Sequence, residues 1–458
     1  MIDIDIKDAG YQIGRSVLMD ISIDIDAGES ILITGPSGSG KTTLLLSILG
    51  VIPNLVGGYV DGSIDINGLN PLDQVDYINI PKEIGIVLQD PEKQIAMPRV
   101  LDEVLFTLEN IYGVRDVDRA MEVIDWIGLK GKYFEYVENL SIGERRRLTI
   151  ASAIIHDPDI IILDEPSASM DPWGIKTVRD FIGSLKGRKT VILVEHKARY
   201  FIDLVDKTYF LFNGKIYESP PSKDFFDMVD LETELRKRFL FGGRAVGEDL
   251  LEVEGLSIGY SVPIIENISF RLARGEVVCI VGRNGSGKST LLKTLSGYIK
   301  PIDGSLKVNG SIFYVPQEPD LMFMFKSVEK EVVESIRKVG GDIGKYLEYL
   351  KEFGISLGYN PFRLSHGQRR WLANLIGGIY GSDILLLDEP TTGLDLNMYR
   401  WIVSQIDRLA RDGRGILIAT HDPRILLDVC DRVYLFDKGF KEVDIEYALS
   451  YLEVWRNA

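Results

Sequence analysis

The chain opens on MIDIDIKDAG, where isoleucine alternates with charged residues at the two-residue period of a half-buried strand. The pattern restarts at LLEVEGLSIGY, residues 250–260. Soon after each start, a short apolar run meets a glycine-rich turn and then a helical pattern. ESILITG leads into KTTLLLSILG in the first half, and EVVCIVG leads into KSTLLKTLSG in the second. Strands that alternate with helices in this way predict an α/β fold with a largely parallel sheet, built twice.

Self-comparison supports the doubling. GPSGSGKTT, VLQDPEKQ, LSIGERRR, IIILDEP, SASMD and VEHK follow one another in the first half. GRNGSGKST, VPQEPDLM, LSHGQRRW, ILLLDEP, TTGLD and THDP follow in the same order in the second. The offset between copies is 247 at the first landmark (282 minus 35) and 224 at the third (365 minus 141), so the first copy carries an insertion early on. IPNLVGGYVDG and PLDQVDYINIPK hold much of it. We place the first domain at residues 1–222, a helical and linker segment at 223–248, and the second domain at 249–458.

A chain of 458 residues can bury two cores, and no run of eighteen apolar residues is present to span a bilayer. The Ile/Asp start does not match a signal peptide, so a cytoplasmic protein is expected. Cys279 and Cys430 each lie in an apolar segment and read as buried structural thiols. The scattered histidines disfavour a metal cage. A net charge of −16 disfavours a nucleic-acid partner. The run Arg145, Arg146, Arg147 reads as the solvated face of a helix start.

The chemistry lies in the landmarks. In G-x-x-x-x-G-K-[ST], glycines Gly35, Gly38, Gly40 and Gly282, Gly285, Gly287 let backbone N–H groups converge on phosphate, and the following helix adds its positive end. Lys41 and Lys288 are expected to reach the β- and γ-phosphates of a nucleotide, and Thr42 and Ser289 to place hydroxyls on Mg²⁺, with Thr43 and Thr290 next in the loop. The apolar strands IIILDE and ILLLDE each end in two carboxylates, which a cation reconciles. Asp164 and Asp388 are assigned to Mg²⁺, partly through water, and Glu165 and Glu389 to polarising the attacking water. His196 and His421 follow a later strand, where an imidazole can donate to the γ-phosphate.

Together with Gln89 and Gln317 after a strand, the LSxG motifs, and Asp171 and Asp395 after the acidic pairs, this set resembles the ATP-binding-cassette ATPases over nearly the whole chain. LSxG is the specific part. The resemblance implies an antiparallel β part and a helical signature subdomain in each domain. It implies that each ATP is completed by the LSxG of the other domain: Ser365 and Gly367 with the first set, Ser141 and Gly143 with the second. It also implies Mg²⁺ contacts from Gln89 and Gln317, and a ring stacked on adenine from Tyr11 and Tyr260. The signatures depart from LSGGQ at Ile142, Glu144 and His366.

Within the family, the segment around QDPEKQ resembles the ATPases of energy-coupling-factor importers for vitamins or cobalt and nickel. That resemblance implies a peripheral motor on the cytoplasmic face of the membrane, bound to an integral membrane coupling subunit and working with a separate solute-binding membrane subunit. Asp90, Glu92, Glu318 and Asp320 would then dock the coupling subunit, or simply sit at helix starts. Homodimerisation is not required, since the two cassettes share one chain. Twin-cassette sugar importers and ribosome-associated twin-cassette ATPases are the alternatives.

Overall fold

The computed structural model describes residues 1–452 except 37, 90, 168–169, 197, 219–245, 341, 395 and 438. Contacts group the chain into two units, Met1–Met170 with Gly174–Glu232, and Asp171–Trp173 with Thr233–Ala458. The segment expected to join the domains lies mostly outside the described residues, as do Asp90, Lys197 and Asp395.

In the first unit, β1 (Ile2–Gly10) buries Ile2, Ile4 and Ile6 and exposes Asp3 and Asp5, as the alternation predicts. It pairs antiparallel with β2 (Leu18–Ile25) and β4 (Tyr59–Ile66). The second sheet has the order β5-β6-β7-β3-β8-β9. Its strands are β3 (Ser30–Thr34), β5 (Ile84–Val87), β6 (Ile160–Asp164), β7 (Thr190–Val194), β8 (Lys207–Phe212) and β9 (Lys215–Tyr217). All pair parallel except β9. Strands β3 and β7 are buried throughout, which explains why they read as continuous apolar runs.

The second unit repeats the plan. Strands β10 (Asp249–Gly259), β11 (Pro263–Ala273) and β13 (Asp303–Val308) form the antiparallel sheet. Strands β12 (Val277–Val281), β14 (Ile312–Val315), β15 (Ile384–Asp388), β16 (Gly415–Thr420), β17 (Arg432–Phe436) and β18 (Phe440–Val443) form the other sheet, in the order β14-β15-β16-β12-β17-β18. The insertion of the first unit is visible between β4 and β5, where short helices Gln74–Tyr77 and Ile80–Glu83 sit. Only Asn309–Ser311 separates β13 from β14.

A helical part fills the chain between β5 and β6, and between β14 and β15. It ends in the signature helix, Ile142–Ile154 in the first unit and His366–Ile379 in the second. Cys279 is fully buried in β12, whereas Cys430 is only half-buried and donates its thiol to the Arg432 carbonyl. Among the described residues no helix is long and apolar enough to cross a membrane.

Candidate nucleotide sites

Each glycine-rich loop links a buried strand to a helix that opens on its lysine, Lys41–Ile48 or Lys288–Leu295. The residues before the lysines, Gly40 and Gly287, have φ of 108° and 105°, a region that favours glycine. The first glycines are needed for a different reason. A β-carbon on Gly35 would lie 2.1 Å from the Leu211 carbonyl oxygen, and one on Gly282 would lie 2.3 Å from that of Phe436. The loop therefore folds directly against the neighbouring strand.

Both lysines are buried. Lys41 Nζ donates to the carbonyls of Gly35 (2.8 Å) and Pro36 (3.0 Å), and Lys288 Nζ to those of Gly282 (2.7 Å) and Arg283 (2.9 Å). Burial pulls the Lys41 ammonium down to about 8, against the opposing pull of Glu165 and Asp164. Phosphate would supply the anionic partner that such a buried cation calls for.

The acidic pairs end the strands beside the histidine strands, with Asp164 opposite Val194 and Asp388 opposite Ala419. Glu165 Oε1 lies 2.7 Å from His196 Nε2, and its Oε2 accepts from Gln89 Nε2 at 2.7 Å. Glu389 Oε1 lies 2.9 Å from His421 Nδ1. Four of the expected residues in the first unit (Gln89, Glu165, His196 and Lys41) thus form one connected group, with His196 Nδ1 3.4 Å from Lys41 Nζ. Burial, then the Glu165 charge, pushes the Asp164 carboxyl up to about 6. Burial likewise raises Asp388, although its hydrogen bonds to Ser289 and Tyr314 work the other way. Burial also works to raise Glu389, but His421 and Lys288 outweigh it and hold that carboxyl below its ordinary value.

These groups fit Mg²⁺ and a triphosphate. Asp388 is 1% exposed, and its Oδ1 has no hydrogen-bond partner among the described residues. A buried carboxylate oxygen with no donor suits a hydrated cation, because Mg²⁺ keeps several waters and needs few protein ligands.

Ser141 and Ser365 start the signature helices with reciprocal caps. Ser141 Oγ accepts from Glu144 N (3.3 Å) while Glu144 accepts from Ser141 N (3.0 Å); Gln368 and Ser365 repeat this at 3.2 and 3.1 Å. The Glu/Gln variation in the signature is thereby explained, since either side chain offers the oxygen the cap needs. Lys132, 2.9 Å from Glu144, holds that carboxyl down to about 2. Gly367 is packed so that a β-carbon would lie 2.4 Å from the Gly393 carbonyl oxygen, whereas Gly143 has open space. Tyr11 and Tyr260 are exposed, and the Thr43 hydroxyl donates to the Tyr11 hydroxyl at 3.4 Å. Thr42 is exposed and Ser289 half-buried.

Three participants escaped the sequence reading. Tyr314, on β14, donates its hydroxyl to Asp388 Oδ2 at 3.0 Å. Glu195, 2% exposed, accepts from the Ser167 hydroxyl at 2.6 Å. Its position at the apolar strand end VILVEH was the available signal. Arg146 is the third: the arginine run expected on a solvated face places this residue in the interior, 2% exposed.

The chain matches the ABC transporter family over residues 18–168 and 265–392, and it belongs to that family of ATP-binding-cassette ATPases. It binds ATP with Mg²⁺ as the family does. A relative from Treponema denticola is 31% identical over 92% of this chain and 92% of its own length. One from Sulfurisphaera tokodaii is 35% identical over 91% and 92%. Both are provisionally described as ABC transporter ATP-binding proteins. Among solved structures, the archaeal ribosome recycling factor aABCE1, in complex with the ribosomal stalk protein aP1, shares the fold at TM-score 0.65. It is 22% identical, and the match covers 92% of this chain and 87% of that one.

The expected importer motor and its membrane subunits are set aside, since the solved twin-cassette structure that matches nearly the whole chain is one bound to a ribosomal stalk protein, and that match shows a shared fold. The physical reason is that the cassette motifs fix nucleotide chemistry and are silent on what the nucleotide drives. Of the acidic residues that carried the docking reading, Asp320 pairs with Arg369 of its own unit at 3.3 Å, whereas Glu318, which precedes the short helix opened by Pro319, makes no side-chain cap.

Proposed function

We propose that both units hydrolyse ATP with the residues brought together above, and that the resulting conformational cycle serves a ribosomal assembly. In each unit the lysine and loop amides hold the phosphates. Thr42, Gln89 and Asp164, or Ser289, Gln317 and Asp388, would hold Mg²⁺, which would supply positive charge beside the phosphates. Glu165 and Glu389 orient water, and His196 and His421 orient those carboxylates and reach the γ-phosphate. Ser141, Gly143, Ser365 and Gly367 add signature contacts, and Tyr11 and Tyr260 lie against the base.

The observation that carries this reading is the carboxylate–imidazole pair at the end of the central strands, 2.7 Å in one unit and 2.9 Å in the other. Glu165→Gln with Glu389→Gln is expected to slow turnover about 10²–10⁴-fold while ATP affinity is kept, measured by phosphate release and equilibrium binding. Wild-type turnover in the double variant would refute the assignment.

The ribosomal partner is supported by fold likeness, and a net charge of −16 favours contact through ribosomal proteins over RNA. With ATP and Mg²⁺, the double variant should cosediment with ribosomes; failure to do so at low salt would overturn this part.

A further inference from the structure

We infer that Arg146 and Arg370 are positioning residues for hydrolysis, each fastening the signature helix of its own unit to the backbone that aims the water-polarising glutamate.

Arg146 Nη1 donates to the carbonyls of Glu165 (3.3 Å) and Pro166 (3.0 Å), and its Nη2 donates to that of Gln89 (2.6 Å). Arg370 bridges the same two segments, at the glutamine and at the acid before the glutamate. It donates to the carbonyls of Pro316 (2.9 Å) and Asp388 (3.3 Å) and also to that of Gln317. It is 1% exposed, the second most voluminous of the fully buried side chains. Asn374, one turn further along the same helix, donates to the Pro390 carbonyl at 3.0 Å. In both units, then, the signature helix supplies donors to the Gln carbonyl and to the turn after the acidic pair, the latter from Arg146 in the first unit and from Asn374 in the second.

That turn needs such support. Glu165 and Glu389 have φ of 45° and 50°, a left-handed conformation that a non-glycine residue adopts only when its surroundings hold it there. The amide of each is tied to the histidine strand, Glu165 N to Val194 O (2.8 Å) and Glu389 N to Ala419 O (2.9 Å). Around this reversal the carbonyls met by the signature helix are those of Glu165 and Pro166 in the first unit and of Asp388 and Pro390 in the second, and a carbonyl taken from water needs such a donor. A guanidinium can meet carbonyls from two segments at once because its donors form a rigid planar fork, whereas an ammonium on a flexible stem cannot reproduce that geometry. The two arginines therefore set the distance between the glutamine backbone and the glutamate, and so where the attacking water is held. Small misplacements of a reacting group cost rate far more than they cost affinity.

This inference rests on the proposed role of Glu165 and Glu389, and the experiment separates the two. In the full chain, Arg146→Lys and Arg370→Lys are made singly, and kcat, KM for ATP, affinity for a non-hydrolysable ATP analogue and melting temperature are measured. The expected result is a fall in kcat of at least about tenfold with analogue affinity within about threefold of wild type. Arg146→Ala and Arg370→Ala should in addition regain part of their kcat when guanidinium is supplied at millimolar concentration, and not when sodium is supplied instead. Unchanged kcat in the Lys variants would overturn the inference while a silent Glu→Gln double variant left the proposed hydrolysis intact. Parallel loss of affinity, melting temperature and kcat, with no rescue by guanidinium, would reduce both arginines to fold supports and overturn it as well.

Discussion

The first and second units carry the same motifs and set them in different hydrogen-bonded states. Glu165 is held on two sides, by His196 through Nε2 and by Gln89, and its side chain is 17% exposed. Glu389 meets His421 through the other ring nitrogen, Nδ1, and is 4% exposed; no bond to Gln317 occurs among the described residues. The metal-assigned carboxylates differ too. Asp388 takes a hydroxyl from Tyr314, but the corresponding strand position in the first unit is Ile86, which has none to give. The anchoring hydroxyl after each acidic pair is also wired differently, Ser167 to Glu195 and Thr391 to Asp422. A duplicated motif thus conserves the chemistry and leaves the surrounding polar groups free to diverge, so the two sites should bind metal with unequal affinity.

The comparison can be pressed hardest through acid. His156 follows the first signature helix and is 7% exposed; in the second unit the matching residue is Tyr380, which stacks on Phe313 at 4.6 Å. Burial drives the His156 imidazole down to about 4, opposed by the Ile84 backbone and by Asp157 and assisted by Arg119 and Lys189. A folded-state value below the unfolded one means the unfolded chain takes up its proton first as pH falls. Stability is therefore complete above about 6.5 and is lost as pH falls from there toward 4, by up to about 3 kcal/mol. His156→Tyr should flatten the decline in melting temperature across that window. An equally steep decline in the variant would place the acid sensitivity elsewhere.

Tyr314→Phe tests the metal side of the difference. Removing a hydrogen bond to a charged group costs about 1.5–3 kcal/mol, so Mn²⁺ binding at the second unit, read by paramagnetic resonance with a non-hydrolysable ATP analogue in a Lys41→Ala background, should weaken roughly tenfold. Ile86→Phe, in a Lys288→Ala background, should leave Mn²⁺ binding at the first unit as it was. If both variants behave alike, the tyrosine does not distinguish the sites.

The smallest effect concerns the helix caps, where the units should agree. Ser141→Ala and Ser365→Ala each lose one cap and should cost about 1 kcal/mol in denaturant unfolding. A difference between them well above that figure would show that Lys132, paired with Glu144 in the first unit, changes what the cap is worth.

Much of this was readable from the chain alone. The Ile/Asp alternation located β1, and the apolar runs located β3, β6, β12 and β15, because a strand buried on both faces leaves a continuous hydrophobic signature. The lysine loops, acidic pairs and histidines were legible because their chemistry demands fixed residues at short spacing. Arg146 was not. Three consecutive arginines look like a solvated face, and only the tertiary fold shows that the middle one meets carbonyls of Gln89 and Glu165, far away in sequence. Tyr314 escaped for a related reason, since a tyrosine in a strand reads as packing until its hydroxyl is seen to reach the adjacent strand. What ATP turnover would act upon is not legible in the chain, because nothing in the nucleotide motifs encodes it.

The seating of the two lysines has a stereochemical consequence. An ammonium is tetrahedral, and two of the three N–H bonds on Lys288 are directed at the carbonyls of Gly282 and Arg283. The direction of the third is then set by geometry, so the side chain behaves less as a diffuse charge than as a pointer whose aim the loop has fixed. Methylating that nitrogen would keep its charge and remove one donor, forcing a choice between holding the loop and greeting the phosphate.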